Sequence, residues 1–422
     1  SRKRTEIPFN EITVPKMGLE EMRSKLSESE KVAAFIKEVI GKHVCHSESL
    51  LRIKRSLEKE LDFNKVLKGM GEEDTLAYVT GYIPYDEVER IREAAQKEKW
   101  ALLLTAPKPE DAVPTLLCNP RWVSIIAPVF KLMESTPGYE ELDISFWFLI
   151  FFSIFFGMLI GDAGVGLIFV ALTAFAQIKL GKKVKNKSIF ALFYALSSFA
   201  ILWGILTATF FGQAWLSGYI KPLVPALRDD RTVQAFCFFL GATHLTIAHL
   251  WRAILKFPSA AALADAGWIV ILWGGFFLAK MLILGAAFPA FAKWLFISGS
   301  VLVLFFTSPD KNILKGVGRG FGALLLNIVN SFTDVVSYIR LFAVGLAGVA
   351  IADAFNSMAM DVGRGNIFTA ILAGFIIFIG QALNVILGPI AVLVHGVRLN
   401  VLEFCNHLDI KWTGFPYKPL KN

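Results

Sequence analysis

Residues 335–350 read VVSYIRLFAVGLAGVA and place one charged side chain, Arg340, inside a run of apolar residues. This run lies within a longer apolar segment, residues 321–358, whose length is typical of a membrane-spanning helix. A guanidinium at the centre of a bilayer costs about 2.5–3.5 kcal/mol on insertion scales, so a partner or a water-filled cavity must compensate it. The stretch therefore predicts a polytopic membrane protein with a functional charge inside one helix.

The composition of the whole chain also favours a membrane protein. Of its 422 residues, 55% are hydrophobic and only 18% are charged, whereas soluble globular chains carry about 25% charged residues. The four cysteines form no CxxC motif, which excludes a disulfide framework and a zinc knuckle. There is no Walker loop, GxSxG or HExxH motif, so we expect neither bond chemistry by this chain alone nor a cofactor or metal site.

Charge divides the chain at Asp143. Of the 43 basic residues, 22 lie up to this point, and of the 35 acidic residues, 25 do. The rest of the chain therefore has 21 basic and 10 acidic residues, a net charge of +11. Positive charge beside apolar segments is typical of membrane-flanking loops, and nucleic-acid binding is not implied. We therefore divide the chain into a polar arm, residues 1–143, and a hydrophobic body, residues 144–422.

The polar arm begins with two predicted amphipathic helices, residues 18–42 and 48–70, because their apolar residues recur at helical spacing. They form either a helical hairpin that is part of a coiled-coil stalk or an ordinary packed helix pair. A strand from Thr75 to Ile83, a helix over Asp86–Trp100 and a strand over Ala101–Thr105 predict a compact α/β unit.

Six prolines punctuate residues 106–143, which we interpret as a linker to the membrane surface.

The hydrophobic body predicts eight membrane-spanning helices, since a bilayer core about 30 Å thick needs roughly 20 apolar residues per crossing. The segments are Ile144–Ile160, Ala163–Ile178, Ser188–Phe211, Val233–Leu255, Ala260–Leu284, Pro289–Phe306, Phe321–Met358 and Ile367–Phe404. The last two exceed one crossing and should tilt strongly or protrude. The predicted fold is an α-helical polytopic membrane protein with two long tilted C-terminal helices, preceded by an α/β plus helical-hairpin cytoplasmic domain.

The distribution of Lys and Arg predicts the orientation. With the polar arm in the cytoplasm, thirteen of these residues flank the inner ends of the segments and five flank the outer ends, which satisfies the positive-inside rule. Both termini are then cytoplasmic. We interpret Lys280, near the outer end of its segment, as a side chain that snorkels to the interface.

Polar side chains accompany two arginines in the last two segments. The seventh segment carries Asn327, Asn330, Ser331, Asp334, Ser337 and Arg340, and the eighth carries a polar line toward its cytoplasmic end: Gln381, Asn384, His395, Arg398, Glu403 and, just beyond it, His407. Arginine suits a permanent intramembrane charge because its guanidinium stays protonated under physiological conditions, and such a charge suits an ion path. Two other interpretations stay open: Arg340 forms an ion pair that only fixes helix packing, and Arg398 snorkels to the inner interface.

Three runs in the hydrophobic body resemble signature segments of one family, the membrane subunit of V-type and A-type rotary ATPases, called subunit a in eukaryotes and subunit I in prokaryotes. They are residues 155–166 (FFGMLIGDAGVG), 337–343 (SYIRLFA) and 394–404 (VHGVRLNVLEF). The resemblance extends over residues 75–420. It is closest to the prokaryotic subunit I, because Gly348 and Gly388 stand where the eukaryotic form usually has a histidine and an acidic residue.

The resemblance implies a non-catalytic stator subunit that forms two offset aqueous half-channels beside a rotating proteolipid ring. By motif position, Arg340 resembles the arginine that faces the ring carboxylates, and Arg398 resembles the second arginine on the last helix. The polar residues of the last two segments would line the half-channels. The implied activity is H⁺ or Na⁺ translocation coupled to ATP hydrolysis or synthesis, with the ATP chemistry on other subunits. Within this resemblance, we interpret Asp162, in the turn between the first two segments, as a structural residue.

The implied partners are the ring (c/K/L-type subunits) through helices 7 and 8, peripheral stalk subunits of E/G type through the N-terminal arm, a central-stalk adaptor subunit and the lipid bilayer. The implied location is a prokaryotic plasma membrane. The family's arm normally begins with a further α/β segment and a long coiled coil, so the resemblance implies a chain longer than these 422 residues.

Two other classes of protein are compatible with a buried arginine. A secondary transporter usually has two related halves with interrupted helices, but segments 1–4 and 5–8 show no repeat. A structural membrane scaffold would not need an unpaired arginine inside its helices.

Overall fold

The computed structural model of the chain describes residues 18–44, 46–73, 76–108, 110–184, 186–213, 221–307, 313–363 and 365–419, and among these the side chains of residues 19, 42–44, 73 and 313–323 are left undescribed. The chain divides into two compact units: residues 1–102 with 418–422, and residues 103–417. Four basic residues that entered the orientation count, Lys185, Lys311, Arg364 and Lys421, lie outside the described residues.

The first unit contains the two expected amphipathic helices, α1 (Leu19–Val44) and α2 (Ser47–Lys68). Their apolar side chains remain exposed, with Phe35 at 66% and Leu57 at 58%. A coiled coil or a packed helix pair would bury these side chains against each other. The helices are therefore confirmed, and their pairing stays a prediction.

The α/β unit differs from the prediction. Two short strands, β1 (Gly71–Glu73) and β2 (Leu76–Tyr78), form an antiparallel hairpin, followed by α3 (Val88–Glu98). The predicted strand over Ala101–Thr105 is wrong: these residues form no strand, and Leu103 is 86% exposed. A strand requires a neighbour for its backbone N–H and C=O groups, and in the described part of the unit β1 and β2 pair only with each other.

The second unit is helical. Its helices are α4 (Ala127–Met133), α5 (Ser145–Ile160), α6 (Ala163–Leu180), α7 (Ser188–Thr207), α8 (Asp230–Lys256), α9 (Ala262–Leu284), α10 (Ala292–Phe306), α11 (Ile313–Ser337), α12 (Ile339–Val362), α13 (Ile367–Ala391) and α14 (Cys405–Leu408). Among the described residues, six stretches are long and apolar enough to cross a membrane: α6, α7, α8, α9, residues 324–362 and residues 367–408.

The remaining two predicted segments form apolar helices that are shorter than a full crossing. Helix α5 has 16 residues and α10 has 15, so at 1.5 Å per residue they measure about 24 Å and 22 Å. All eight predicted segments are thus apolar and helical, the first six as single helices, and the count of eight membrane crossings remains a prediction.

Helix α5 lies at the centre of the hydrophobic core. Its phenylalanine side chains Phe148, Phe152, Phe155 and Phe156 are all 3% exposed or less. The helix ends at Ile160 and is capped by Gly161, whose φ of +67° favours glycine. The next residue, Asp162, accepts hydrogen bonds from the backbone N–H groups of Val165 (3.0 Å) and Gly212 (2.8 Å). It therefore caps α6 and ties a distant loop to the turn, as expected of a structural residue.

The predicted linker packs against the C-terminal residues of this unit. Isolated bridges join Thr115 to Pro416 and Thr136 to Gly414. The carboxylate of Glu141 accepts backbone N–H groups of Gly138 (2.7 Å), Lys411 (2.9 Å) and Trp412 (3.2 Å). These contacts fasten the segment after the last helix to the segment before α5.

Both arginine-bearing segments are irregular where a single helix was predicted. The seventh segment breaks at Tyr338, where i→i+3 hydrogen bonds join the N–H of Tyr338 to Val335 and the N–H of Leu341 to Tyr338. The eighth changes after α13 into two π-helical turns, Val392–Gly396 and Leu399–Phe404. Such irregular turns are frequent at functional sites, and here each lies next to an arginine.

Candidate functional site

Three residues expected to be functional, Arg340, Arg398 and Glu403, form one charged cluster. The Arg340 Nη2 atom lies 3.8 Å from Glu403 Oε1, and the Arg398 Nε atom lies 3.7 Å from the same oxygen. The carboxylate is 5% exposed, whereas the side chains of Arg340 and Arg398 are 21% and 54% exposed. One buried anion therefore serves two cations, and the cluster has a formal charge of +1.

The helix irregularities bring these side chains together. Arg340 lies in the first turn of α12, immediately after the break at Tyr338. Arg398 and Glu403 are five residues apart, a spacing that places side chains on different faces of an α-helix. A π-helical turn closes i→i+5 hydrogen bonds and brings residues five apart close to each other. The second π turn thus directs the carboxylate toward both arginines.

The ion pairs leave hydrogen-bonding capacity unused. Distances of 3.7–3.8 Å are too long for hydrogen bonds. Arg340 Nη1 and Glu403 Oε2 are buried without a hydrogen-bond partner among the described residues. Arg340 is therefore paired, as the packing interpretation requires, but its guanidinium can still bind a second anion.

A polar cavity of about 600 Å³ lies along the C-terminal half of α11, and its lining reaches Asp334, four residues before the break at Tyr338. Four of the predicted half-channel residues line it: Asn327, Asn330, Ser331 and Asp334. Helices α8, α9 and α10 supply further walls, including His249 and Trp268. Ser337 does not belong to its lining, and its hydroxyl donates to the Thr333 carbonyl oxygen at 2.9 Å.

A chain of side-chain contacts, here called the His–Asp network, starts at the wall of this cavity. Asp334 Oδ2 lies 3.0 Å from His407 Nε2, His407 Nδ1 lies 2.8 Å from His249 Nε2, and His249 Nδ1 lies 3.3 Å from Asp265 Oδ1. Both nitrogens of each imidazole are engaged, so each ring can accept a proton on one side and release it on the other.

Two basic side chains complete the surroundings of Asp265, which is 2% exposed. Lys256 Nζ donates to Asp265 Oδ2 at 2.6 Å, and Arg252 Nε lies 3.5 Å from Oδ1. Arg252 also donates to the backbone oxygen of His407 at 2.9 Å. The buried carboxylate is thus compensated by charge, as burial requires.

Sequence reasoning missed two of the four members of this network, His249 and Asp265. The signal was present: Asp265 is an acidic residue within an apolar helix, and such residues are functional candidates by default. His249, Arg252 and Lys256 recur at i, i+3 and i+7 on one face of α8. Their partner His407 lies 158 residues from His249, so the connection itself is a product of the fold.

The other predicted lining residues lie apart from the polar cavity. Gln381 Nε2 donates to the Phe211 carbonyl oxygen at 3.1 Å, and Asn356 Nδ2 donates to the same oxygen at 2.7 Å. Asn384 is 8% exposed, and His395 is half-buried in the first π turn. The structure therefore separates the predicted polar residues into two groups, one on α11 and one on the last segment.

Within the described ranges, no group of three or more His, Cys, Asp or Glu side chains is arranged to hold a metal ion.

The sequence of the chain has curated relatives, although no family model matches it. It is 35% identical over 387 residues to V-type ATP synthase subunit I of Borreliella burgdorferi, which covers 87% of this chain and 64% of the relative. It is 36% identical over 374 residues to V-type ATP synthase subunit I 1 of Treponema pallidum, which covers 83% of this chain and 59% of the relative. The chain is a homologue of V-type and A-type ATP synthase subunit I.

An archaeal relative extends the comparison to the A-type proteins. A-type ATP synthase subunit I of Methanocaldococcus jannaschii is 23% identical over 391 residues, 83% of this chain and 56% of the relative. The family resemblance inferred from the three motifs is confirmed. This subunit I homologue spans about three fifths of the length of the curated relatives that it matches.

Proposed function

We propose that the chain is the stator membrane subunit of a V/A-type rotary ATPase or ATP synthase. In this role it forms two aqueous half-channels against a rotating proteolipid ring and conducts H⁺ or Na⁺, coupled to ATP hydrolysis or synthesis on other subunits. The homology to subunit I and the six apolar helices support a membrane subunit of such a complex.

The placement of Arg340 carries the proposal. A fixed cation within apolar helices favours the ionised form of each ring carboxylate that passes it, because an opposite charge within about 4–6 Å stabilises that form. The same cation repels positive ions and prevents a direct leak between the half-channels. Its weak pairing with Glu403 supports an exchange of partners: a 3.8 Å contact without a hydrogen bond leaves the guanidinium able to bind a ring carboxylate in place of Glu403.

The two groups of polar residues match two half-channels. On the inner side, the polar cavity and the His–Asp network would connect the cytoplasm to the neighbourhood of α11. On the outer side, Gln381, Asn384 and His395 would line the second path, with Arg398 and Glu403 at its inner end. This assignment rests on the proposed orientation, with both termini in the cytoplasm.

The remaining partners follow from the same proposal. Helices α12 and α13 would face the c/K/L-type ring subunits, because their outward side chains are apolar and exposed, as Ile351 and Phe375 illustrate. The N-terminal arm would bind peripheral stalk subunits of E/G type and a central-stalk adaptor subunit. The complex would lie in a prokaryotic plasma membrane.

Ion translocation by the assembled complex in vesicles tests the function. Arg340→Ala and Arg340→Lys should both abolish ATP-driven ion uptake, because the second moves the charge and loses the planar guanidinium. Arg231→Ala, which removes an exposed arginine from the first turn of α8, is the matched control and should transport normally. Ion uptake should be followed with a pH-sensitive and a Na⁺-sensitive dye. The rate of ATP hydrolysis and the amount of assembled complex should both be measured in parallel.

A second pair of variants distinguishes ion transfer from packing. If Arg340 only fixes packing through Glu403, the neutral pair Arg340→Gln/Glu403→Gln should restore transport, since the two amides can pair with each other. Transport by that double variant, or by Arg340→Ala, would contradict the proposal.

A further inference from the structure

A buried hydrogen bond links α8 to the break between α11 and α12. His244 Nδ1 lies 2.8 Å from Tyr338 Oη, and both residues are fully buried although 94 positions separate them. Neither residue belongs to the charged cluster or the His–Asp network. A buried polar pair of this kind fixes the groups that it joins, because breaking it leaves polar atoms without partners in an apolar core.

The imidazole of His244 is held between two phenyl rings. The ring of Phe151 on α5 stacks on it at a centroid distance of 3.8 Å and an angle of 20°, and that of Phe404 stacks on its other face at 4.2 Å and 10°. The two stacks fix the plane of the imidazole. The direction of its bond to the Tyr338 hydroxyl is therefore fixed as well.

The ring of Tyr338 is also held at the end that joins the backbone. A Cβ atom at Gly241 of α8 would lie 2.6 Å from the ring of Tyr338, so the ring fits against the backbone there only because the residue is glycine. The ring of Phe155 packs against its edge at 5.9 Å and 74°. Tyr338 is thus held at its ring by Gly241 and Phe155 and at its hydroxyl by His244.

These contacts act on both partners of the charged cluster. Tyr338 precedes Arg340 by two residues, and Phe404 directly follows Glu403. The ion pair between Arg340 and Glu403 has no hydrogen bond of its own. Its geometry therefore depends on how firmly the two backbones are held.

We propose that His244 and Tyr338 are positioning residues, whose hydrogen bond fixes the start of α12 and holds Arg340 at the place where ring carboxylates pass. The inference rests on the proposed function. Loss of the bond would let Arg340 sample positions in which it neither meets the carboxylate nor blocks the path between the half-channels. The expected signature is uncoupling: fewer ions moved per ATP, and a larger passive leak.

The test uses the assembled complex in vesicles with the variant Tyr338→Phe, which removes only the hydroxyl. We expect the number of ions transported per ATP to fall roughly three- to tenfold, the range set by one buried hydrogen bond, with an increased leak of H⁺ or Na⁺ in the absence of ATP. Tyr194→Phe is the matched control, because it removes a hydroxyl bonded to Gln177 at 2.8 Å in an exposed contact. It should leave both quantities unchanged.

A second variant separates positioning from folding. His244→Phe keeps an aromatic ring between Phe151 and Phe404 but removes the bond, and it should show the same uncoupling. Because the two groups act through one bond, the double variant should be no more uncoupled than the more affected single variant. Additive losses in the double variant would overturn the inference.

The inference and the proposed function fail in different ways. Wild-type coupling and leak in both Tyr338→Phe and His244→Phe, while Arg340→Ala abolishes transport, would refute the positioning role alone. Transport by Arg340→Ala would refute the proposed function itself.

Discussion

The substitution Asp265→Asn should destabilise the membrane unit, because it removes the buried carboxylate that His249, Lys256 and Arg252 contact. The buried contact with His249 (3.3 Å) is worth about 1 kcal/mol as a hydrogen bond. The Lys256 and Arg252 contacts, whose side chains are 36% and 27% exposed, are worth about 0.5–1 kcal/mol each after solvent screening. The expected loss is about 2–3 kcal/mol.

Thermal unfolding in detergent measures this loss. At roughly 2–4 °C per kcal/mol for a unit of this size, the apparent midpoint should fall by about 4–12 °C at a fixed scan rate. Trp268, one of ten tryptophans in the chain, stacks on His249 at 6.4 Å, so the network contributes to the change in intrinsic fluorescence on unfolding. Asp230→Asn, which removes an exposed charge from α8, is the control. A midpoint for Asp265→Asn equal to that of the control would refute the claim that the network is buried and stabilising.

Three further substitutions test other parts of the fold. Hydrogen bonds from the hydroxyl and N–H of Thr232 lower the pKa of Asp229. The ionised carboxylate therefore stabilises the fold above the ordinary Asp pKa of about 3.9, and this stabilisation is lost as the pH falls through the lowered pKa. Asp229→Ala should accordingly reduce the fall of the unfolding midpoint between about pH 5 and pH 3. Glu141→Ala leaves three backbone N–H groups without their acceptor and should cost about 1–3 kcal/mol, seen as faster hydrogen exchange in residues 409–417. Gly204→Ala drives a Cβ into the backbone nitrogen of Ala163 and should prevent folding, whereas Gly374→Ala, with nothing within 4 Å, should leave expression and midpoint intact.

Hydropathy located the helices well because it depends on local composition. Each of the eight predicted segments is apolar and helical; the first six differ from the prediction mainly at their ends, and the last two are interrupted. The break at Tyr338 could not be foreseen, since neither proline nor glycine marks it. Its stabilising contacts come from Gly241 and His244, which lie almost a hundred residues earlier.

The error in the polar arm has a different origin. Residues 101–105 are apolar and resemble a buried strand, but a strand also needs a partner at the correct distance. Alternation and hydrophobicity do not report whether such a partner exists. The local signal was therefore read correctly as apolar and incorrectly as a strand.

The candidate site was predictable residue by residue but not as an arrangement. Arg340, Arg398 and Glu403 stand out as charges in apolar helices. Their contact depends on the π-helical turn that brings Glu403 around to face the arginines, and no sequence rule gave that turn. The His–Asp network needed the packing of α8 against α9 and against the end of the last segment, which only the fold supplies.

The position of Arg340 relative to the ring is the central claim, and a structure of the assembled complex in a lipid membrane tests it most directly. The measurement is the distance between the Arg340 guanidinium and the nearest ring carboxylate. The account predicts a carboxylate within about 4–6 Å, with α12 and α13 against the ring. An Arg340 side chain that contacts only Glu403, with lipid or another helix between it and the ring, would contradict the account.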